Sequence, residues 1–141
     1  DIVQAARMAL TSAALRHLDV RLMVPERSDS RITTAAARSY YDELLAAGVR
    51  IFEYGPRMLH GKVMLMDADT CLLGSANFDH RSFRLNFELN LLLHDVALAG
   101  QVEAQLLADL AHCREVLADR PAAPWGQRLS EACARLFSPL L

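Results

Sequence analysis

The chain has 141 residues, of which 52% are hydrophobic, and its formal net charge is −2. This length suits one compact domain, and the apolar content excludes a disordered protein. The charge does not favour a broad nucleic-acid-binding surface, which is usually basic, and no apolar run reaches the roughly 18–20 residues of a membrane span.

Helical spacing and strand alternation predict an α/β order of elements. Apolar residues at helical spacing predict helices over 2–17, 31–47, 96–118 and about 126–137. Alternating or apolar runs bounded by turn residues predict strands over 19–24, 49–54, 59–66, 71–73 and 88–93. Strands alternate with helices early and cluster later, so we predict a single domain, 1–141, with a mixed β-sheet flanked by helices.

The three cysteines, Cys71, Cys113 and Cys133, are far apart and form no C-x-x-C pair. We interpret them as buried, reduced thiols and not as metal ligands. The apolar stripe of the predicted helix 96–118 is interpreted as core packing in preference to a membrane-facing surface.

The segment from His60 to Asn77 carries the pattern H-x-K-x4-D-x6-G-S-x-N once. Histidine is a competent nucleophile and proton carrier near neutral pH, and Lys62 supplies a positive charge for phosphate oxygens. On a strand, residues 60 and 62 point to the same face. A Gly-Ser turn with Asn77 adds neutral donors, so the combination predicts a phosphate site. Asp67 falls at the predicted strand end, which favours a structural role in the turn.

This motif resembles the HKD signature of the phospholipase D superfamily. Further segments resemble the C-terminal half of bacterial cardiolipin synthases: Arg27-Ser28-Asp29-Ser30, Ser39-Tyr40-Tyr41-Asp42-Glu43-Leu44, Ala47-Gly48-Val49-Arg50-Ile51 and Arg81-Ser82-Phe83-Arg84-Leu85-Asn86-Phe87-Glu88. The resemblance extends to about residue 95 and implies a phospholipase D-like α/β fold.

The resemblance also implies a metal-independent, cofactor-free phosphatidyltransferase that passes through a covalent phosphohistidine. It assigns catalytic roles to His60, Lys62, Asp67 and Glu88, and phosphate binding to Lys62, Ser75, Asn77 and Arg81. His60 is either the nucleophile or the general acid. Glu88 is the candidate to hydrogen-bond the imidazole, because a carboxylate partner fixes the tautomer and stabilises the imidazolium.

Active sites of this family use two HKD motifs, and this chain has one. We expect the chain to be the C-terminal half of a two-motif enzyme; pairing of two copies as a homodimer is the other arrangement. The expected reaction joins two phosphatidylglycerol molecules into cardiolipin at the cytoplasmic face of the bacterial inner membrane. The alternatives are a homodimeric phosphodiesterase acting on nucleic acid, which the charge disfavours, and a non-catalytic module that binds lipid or phosphate.

Overall fold

The computed structural model describes residues 2–28, 31–76, 86–119 and 124–137. In these ranges the helices and strands are, in chain order, α1 (Ile2–Leu15), β1 (Arg21–Pro25), α2 (Arg31–Arg38), α3 (Tyr41–Ala46), β2 (Arg50–Tyr54), β3 (Val63–Met66), β4 (Thr70–Gly74), β5 (Asn90–His94), α4 (Val96–Leu110), β6 (Cys113–Val116) and α5 (Trp125–Phe137). The predicted α/β class is confirmed. No helix among the described residues combines the length and apolar character needed to cross a bilayer.

The described strands form two three-stranded sheets in place of the single mixed sheet that the sequence predicted. The first has the order β1-β2-β6, with β1 parallel to β2 and β6 antiparallel to it. The second, β3-β4-β5, is antiparallel throughout. The eight residues between β2 and β3 lead from one sheet to the other, and this segment, 55–62, is called the inter-sheet loop below.

The main core lies on the first sheet, where β2 is the central strand. Its buried side chains include Ile51, which is fully inaccessible, and Tyr54. Ile51 belongs to a cluster of buried residues with Ala14, Tyr41, Leu44, Val49 and Val116. A strand covered on both faces reads as a nearly continuous apolar run, and β2 has this character apart from Arg50, at its exposed start, and Glu53.

Glu53 is the one charged side chain buried in the described core, with 3% of its surface exposed. Its carboxylate forms ion pairs with Arg38, at 3.2 Å, and with Arg114. The hydroxyl of Tyr41 donates to the same carboxylate at 3.3 Å. These partners supply the compensation that a buried charge requires.

Two predicted helices were too long. The helix predicted over 31–47 is interrupted at Ser39 and Tyr40, where the Ser39 hydroxyl donates to the Ala36 carbonyl at 2.6 Å and competes with the helical ladder. The helix predicted over 96–118 ends at Leu110.

Residues 113–116 form strand β6 and not the end of that helix. Val116 is buried in the main core opposite Ile51, and Glu115 pairs with Arg50 at 2.8 Å. Pairing with β2 therefore overrides the helical spacing of this segment, because it buries Val116 and provides hydrogen-bond partners for the strand backbone.

The cysteine interpretation holds only in part. All three thiols are free, but Cys71 alone is buried, whereas Cys113 is half-buried and Cys133 is exposed.

Candidate functional site

The β3–β4 hairpin brings the two halves of the H-x-K and G-S-x-N pattern together. Thr70 pairs with Met66 and Leu73 with Val63, so the ladder returns from the turn toward Lys62. One further backbone bond joins the halves directly: the Gly74 amide donates to the Lys62 carbonyl at 3.1 Å. Residues twelve positions apart in the chain thus become neighbours at the open end of the hairpin.

His60 and Lys62 lie in the inter-sheet loop, so their prediction on a strand was wrong: β3 begins only at Val63. The alternation argument that placed them on one face therefore does not apply. A direct contact joins them instead, because the Lys62 ammonium donates to the His60 carbonyl at 2.7 Å. The His60 side chain is exposed and Lys62 is half-buried, so both can be reached from solvent.

Ser75 connects this edge of the hairpin to the segment before β5. Its hydroxyl donates to the Glu88 carboxylate at 2.5 Å and accepts from the Leu89 amide at 3.0 Å. The Ser75 amide in turn donates to the Leu89 carbonyl at 3.0 Å. The other oxygen of Glu88 accepts from the Asn86 side chain at 3.4 Å. Ser75 and Glu88, two of the predicted site residues, therefore share a hydrogen bond.

The imidazole of His60 forms no hydrogen bond with any described residue. The predicted partnership between Glu88 and His60 thus remains a prediction, with Glu88 held by Ser75 and Asn86 instead. The Ser75 hydroxyl thus donates its one proton to Glu88 and accepts from Leu89 through one lone pair, which leaves one lone pair for a further donor.

Asp67 lies in the turn at the other end of β3 from Lys62. It has a left-handed backbone conformation, with φ of 54°, which aspartate tolerates better than most residues. The five-residue separation along an extended strand corresponds to about 16 Å. The turn is also bonded to the start of α4, because the Asp95 amide donates to the Asp69 carbonyl at 2.8 Å. This position suits a structural role in the turn and not contact with a phosphate held near Lys62.

Asn77 and Arg81, both predicted to bind phosphate, lie outside the described residues. Within the described part of the chain, no group of three or more His, Cys, Asp or Glu side chains is arranged to hold a metal ion.

Sequence reasoning missed the reason for a glycine at position 74. Gly74 pairs with Asn90 across β4 and β5. A Cβ atom at this position would come within 1.9 Å of Asn90 Oδ1 and 2.6 Å of the Leu89 carbonyl oxygen. The motif glycine therefore allows the close approach of the chain that carries Glu88 and Leu89. The sequence did contain a signal for this close approach, namely a Gly-Ser pair directly after an apolar strand.

Comparison with known proteins places this geometry in context. The family model described as "Cardiolipin synthase, PLD-like domain" matches residues 3–110. The chain is 48% identical over 139 residues to cardiolipin synthase A of Pseudomonas aeruginosa strain PAO1, a match that covers 98% of this chain and 28% of the relative. The cardiolipin synthase A proteins of Pseudomonas putida strain F1 and Pseudomonas fluorescens strain SBW25 are also 48% identical over 98% of the chain. The chain spans less than a third of the length of these relatives.

A solved structure shares the fold. The crystal structure of Nuc, a phospholipase D family member from Salmonella typhimurium, superposes with a TM-score of 0.69 at 23% identity and covers 79% of this chain and 72% of that one.

Proposed function

Because the chain belongs to the family of cardiolipin synthase, phospholipase D-like domains, we propose that it is part of a phosphatidyltransferase that joins two phosphatidylglycerol molecules and releases glycerol. The observation that supports the proposal is the β3–β4 hairpin, where the Gly74 amide donates to the Lys62 carbonyl and so joins the backbones of two motif segments. The 48% identity to proteins named cardiolipin synthase A, over nearly the whole chain, supports a lipid substrate in preference to nucleic acid.

In the proposed reaction, a histidine nitrogen attacks the phosphorus of the donor lipid. The N–P bond forms as the P–O bond to the headgroup glycerol breaks, and a second histidine gives the leaving oxygen its proton. A hydroxyl of the second phosphatidylglycerol then attacks phosphorus, the N–P bond breaks, and the second histidine takes up the hydroxyl proton. His60 supplies one of these two imidazoles, in either role.

Other residues stabilise the phosphoryl group in this proposal. Lys62 rotates away from the His60 carbonyl and pairs with non-bridging oxygens, where charge develops. Asn77 and Arg81 donate to the same group, and Ser75 joins them by turning its single hydroxyl proton from the Glu88 carboxylate to a phosphoryl oxygen. Glu88 accepts from the Ser75 hydroxyl in the free protein, and in the reaction it orients the His60 ring, as the family resemblance implies.

The second imidazole comes from another HKD half or from a second copy of this chain. We favour the first, with this chain as the C-terminal half, because the chain matches 98% of its own length but 28% of its relative. The substrate requires contact with a membrane surface, and we place the enzyme at the cytoplasmic face of the bacterial inner membrane.

The test uses the intact enzyme that contains this chain, with phosphatidylglycerol vesicles as substrate and cardiolipin as product. His60→Ala should lower the rate by at least about 10²–10⁴-fold, the range for loss of an acid–base group. His112→Ala is the matched control, because His112 is an exposed turn residue remote in sequence from the motif, and it should retain the rate. Donor lipid labelled at phosphorus should leave an acid-labile label on the enzyme. An unaltered rate in His60→Ala would exclude the proposal, and cleavage of DNA without cardiolipin formation would favour the nuclease alternative.

A further inference from the structure

A cavity of about 410 Å³ lies where the parallel strands β1 and β2 end. Its walls include Glu26 and Arg27, which follow β1, and Tyr54, Arg57 and Met58 from the end of β2 and the loop after it. Its volume falls in the range of small-molecule sites, and the carboxyl ends of parallel strands are where α/β sheets bind ligands. None of these residues belongs to the H-x-K and G-S-x-N pattern.

Two arginines give the cavity a positive character. Arg27 and Arg57 are both exposed, and neither forms an ion pair or hydrogen bond with another described residue. Two guanidinium groups facing one space can bind a phosphate group through parallel N–H···O bonds. The carboxylate of Glu26 in the same wall balances one of the two arginine charges. The net charge of the cavity therefore favours a ligand with one negative charge.

Glu26 is fixed in place by its backbone. Its amide donates to the Tyr54 carbonyl at 2.9 Å, and its carbonyl accepts from Arg38 at 3.3 Å. Its carboxylate lies close to Gly55, because a Cβ added there would be 3.0 Å from Glu26 Oε2. A carboxylate accepts hydrogen bonds and repels phosphate, so its presence beside two arginines indicates a ligand that carries hydroxyl groups as well as a phosphate.

The cavity lies near the proposed reaction centre along the chain. Met58 lines it, and His60 follows two residues later in the same inter-sheet loop. Two residues of chain span at most about 7 Å, which is comparable with the length of a small headgroup. The backbone of His60 therefore lies within about one headgroup length of the cavity wall at Met58.

We propose that this cavity binds the phosphoglycerol headgroup of the acceptor substrate. Arg27 and Arg57 hold its phosphodiester, and Glu26 accepts a hydrogen bond from one glycerol hydroxyl, which leaves the other hydroxyl free to attack. The inference rests on the proposed function and deepens it, since it names the residues that select the acceptor. The shared ligand chemistry is a phosphodiester that bears glycerol hydroxyls, whether free or as part of a lipid.

Binding is measured by ¹H–¹⁵N NMR titration of this chain with three probes: soluble glycerophosphoglycerol, inorganic phosphate, and vesicles that contain phosphatidylglycerol. NMR detects binding with dissociation constants in the millimolar range, and the spectrum of each variant shows whether it is folded. We expect glycerophosphoglycerol to shift signals of the cavity residues. The double variant Arg27→Gln/Arg57→Gln should bind it at least about tenfold more weakly, the loss expected from one or two charge-assisted hydrogen bonds.

Two further variants distinguish a specific binding site from a general attraction of anions to positive charge. Arg16→Gln makes the same substitution at one exposed arginine before β1, at the other end of that strand, and should leave the affinity unchanged. Glu26→Ala should weaken glycerophosphoglycerol binding but strengthen the binding of inorganic phosphate, because only the former loses a hydroxyl partner. Equal binding by the double variant, or a stronger binding of both probes by Glu26→Ala, would overturn the inference. Binding of the vesicles without any binding of the soluble headgroup would overturn it as well.

His60→Ala separates this inference from the proposed function. It should abolish cardiolipin formation in the intact enzyme yet retain headgroup binding by the chain. Loss of binding in His60→Ala, with no change in the arginine double variant, would place the anion at the motif and refute the cavity site while the proposed function stands. Intact headgroup binding in a wild-type enzyme that forms no cardiolipin would refute the function alone. In the active enzyme, the double variant should raise KM for phosphatidylglycerol more than it lowers kcat.

Discussion

Replacing Gly74 by alanine tests whether the close approach of β4 and β5 holds the candidate site together. The added Cβ would lie 1.9 Å from Asn90 Oδ1 and 2.6 Å from the Leu89 carbonyl oxygen, and Cβ contacts below 3.0 Å essentially never occur. Asn90 can rotate, but the Leu89 oxygen belongs to the backbone. The strands must therefore separate by about 0.4 Å or more, and overpacking of this kind costs about 1–3 kcal/mol.

The displaced backbone is the one that positions the site. Leu89 exchanges hydrogen bonds with Ser75 through its carbonyl and its amide, both at 3.0 Å. We therefore expect Gly74→Ala to lower the free energy of unfolding by about 1–3 kcal/mol and to reduce transferase activity of the intact enzyme.

The matched control is Gly100→Ala on helix α4. No heavy atom lies within 4 Å of a Cβ at position 100, and the residue is inside a regular helix. This change should stabilise the chain by about 0.5–1 kcal/mol, because alanine loses less conformational freedom than glycine in a helix. The two variants thus make the same chemical change with opposite expected signs.

Urea denaturation followed by circular dichroism gives the free energy of unfolding and the m-value for each variant. The double variant Gly74→Ala/Asn90→Ala removes the side-chain clash but keeps the one with the Leu89 oxygen, so it should recover only part of the loss. Wild-type stability in Gly74→Ala, or full recovery in the double variant, would show that the backbone approach does not restrict position 74.

Three further predictions concern the buried carboxylate and the motif serine. Tyr41→Phe removes a donor to the buried Glu53 carboxylate and should cost about 1.5–3 kcal/mol in urea denaturation at neutral pH; an unchanged midpoint would contradict the role of this bond. Burial, and secondarily the charge of Glu53, raises the pKa of Tyr41 above its usual 10.0, so the unfolded chain ionises this group first. Stability should be level with respect to this group below about pH 10 and fall above it, and the fall should be smaller in Tyr41→Phe; equal alkaline slopes in both proteins would refute the assignment. Ser75→Ala removes the donor to Glu88 and the acceptor for Leu89 and should cost about 0.5–1.5 kcal/mol, whereas Ser75→Thr should keep most of the stability; identical losses in the two variants would argue against the hydroxyl.

The elements with a strong local signal were predicted well. The strand of β2 and the C-terminal helix α5 agree with their predictions to within one residue, because a run of large apolar side chains between turn residues and a regular helical spacing need no distant partner to be recognised. The H-x-K and G-S-x-N pattern was recognised from the sequence by its residue types and short spacing, and its role as a phosphate site stays a prediction.

The predictions failed where distant residues decide the outcome. Residues 113–116 have helical spacing, but the buried place beside Ile51 is available only to a strand. His60 and Lys62 lie in a loop and not on a strand because the chain must pass from one sheet to the other there. The cavity between Arg27 and Arg57 brings together segments about thirty residues apart and has no local signal.

The sequence alone thus determined the α/β class, the family resemblance and the residue types of the predicted phosphate motif, because these depend on spacing within short segments. The tertiary structure decided which backbone reaches Ser75, why position 74 must be glycine, and which arginines share the cavity at the ends of β1 and β2. The physical reason is strand pairing: its register joins residues by hydrogen bonds and close packing across the sheet, at separations along the chain that no local pattern records.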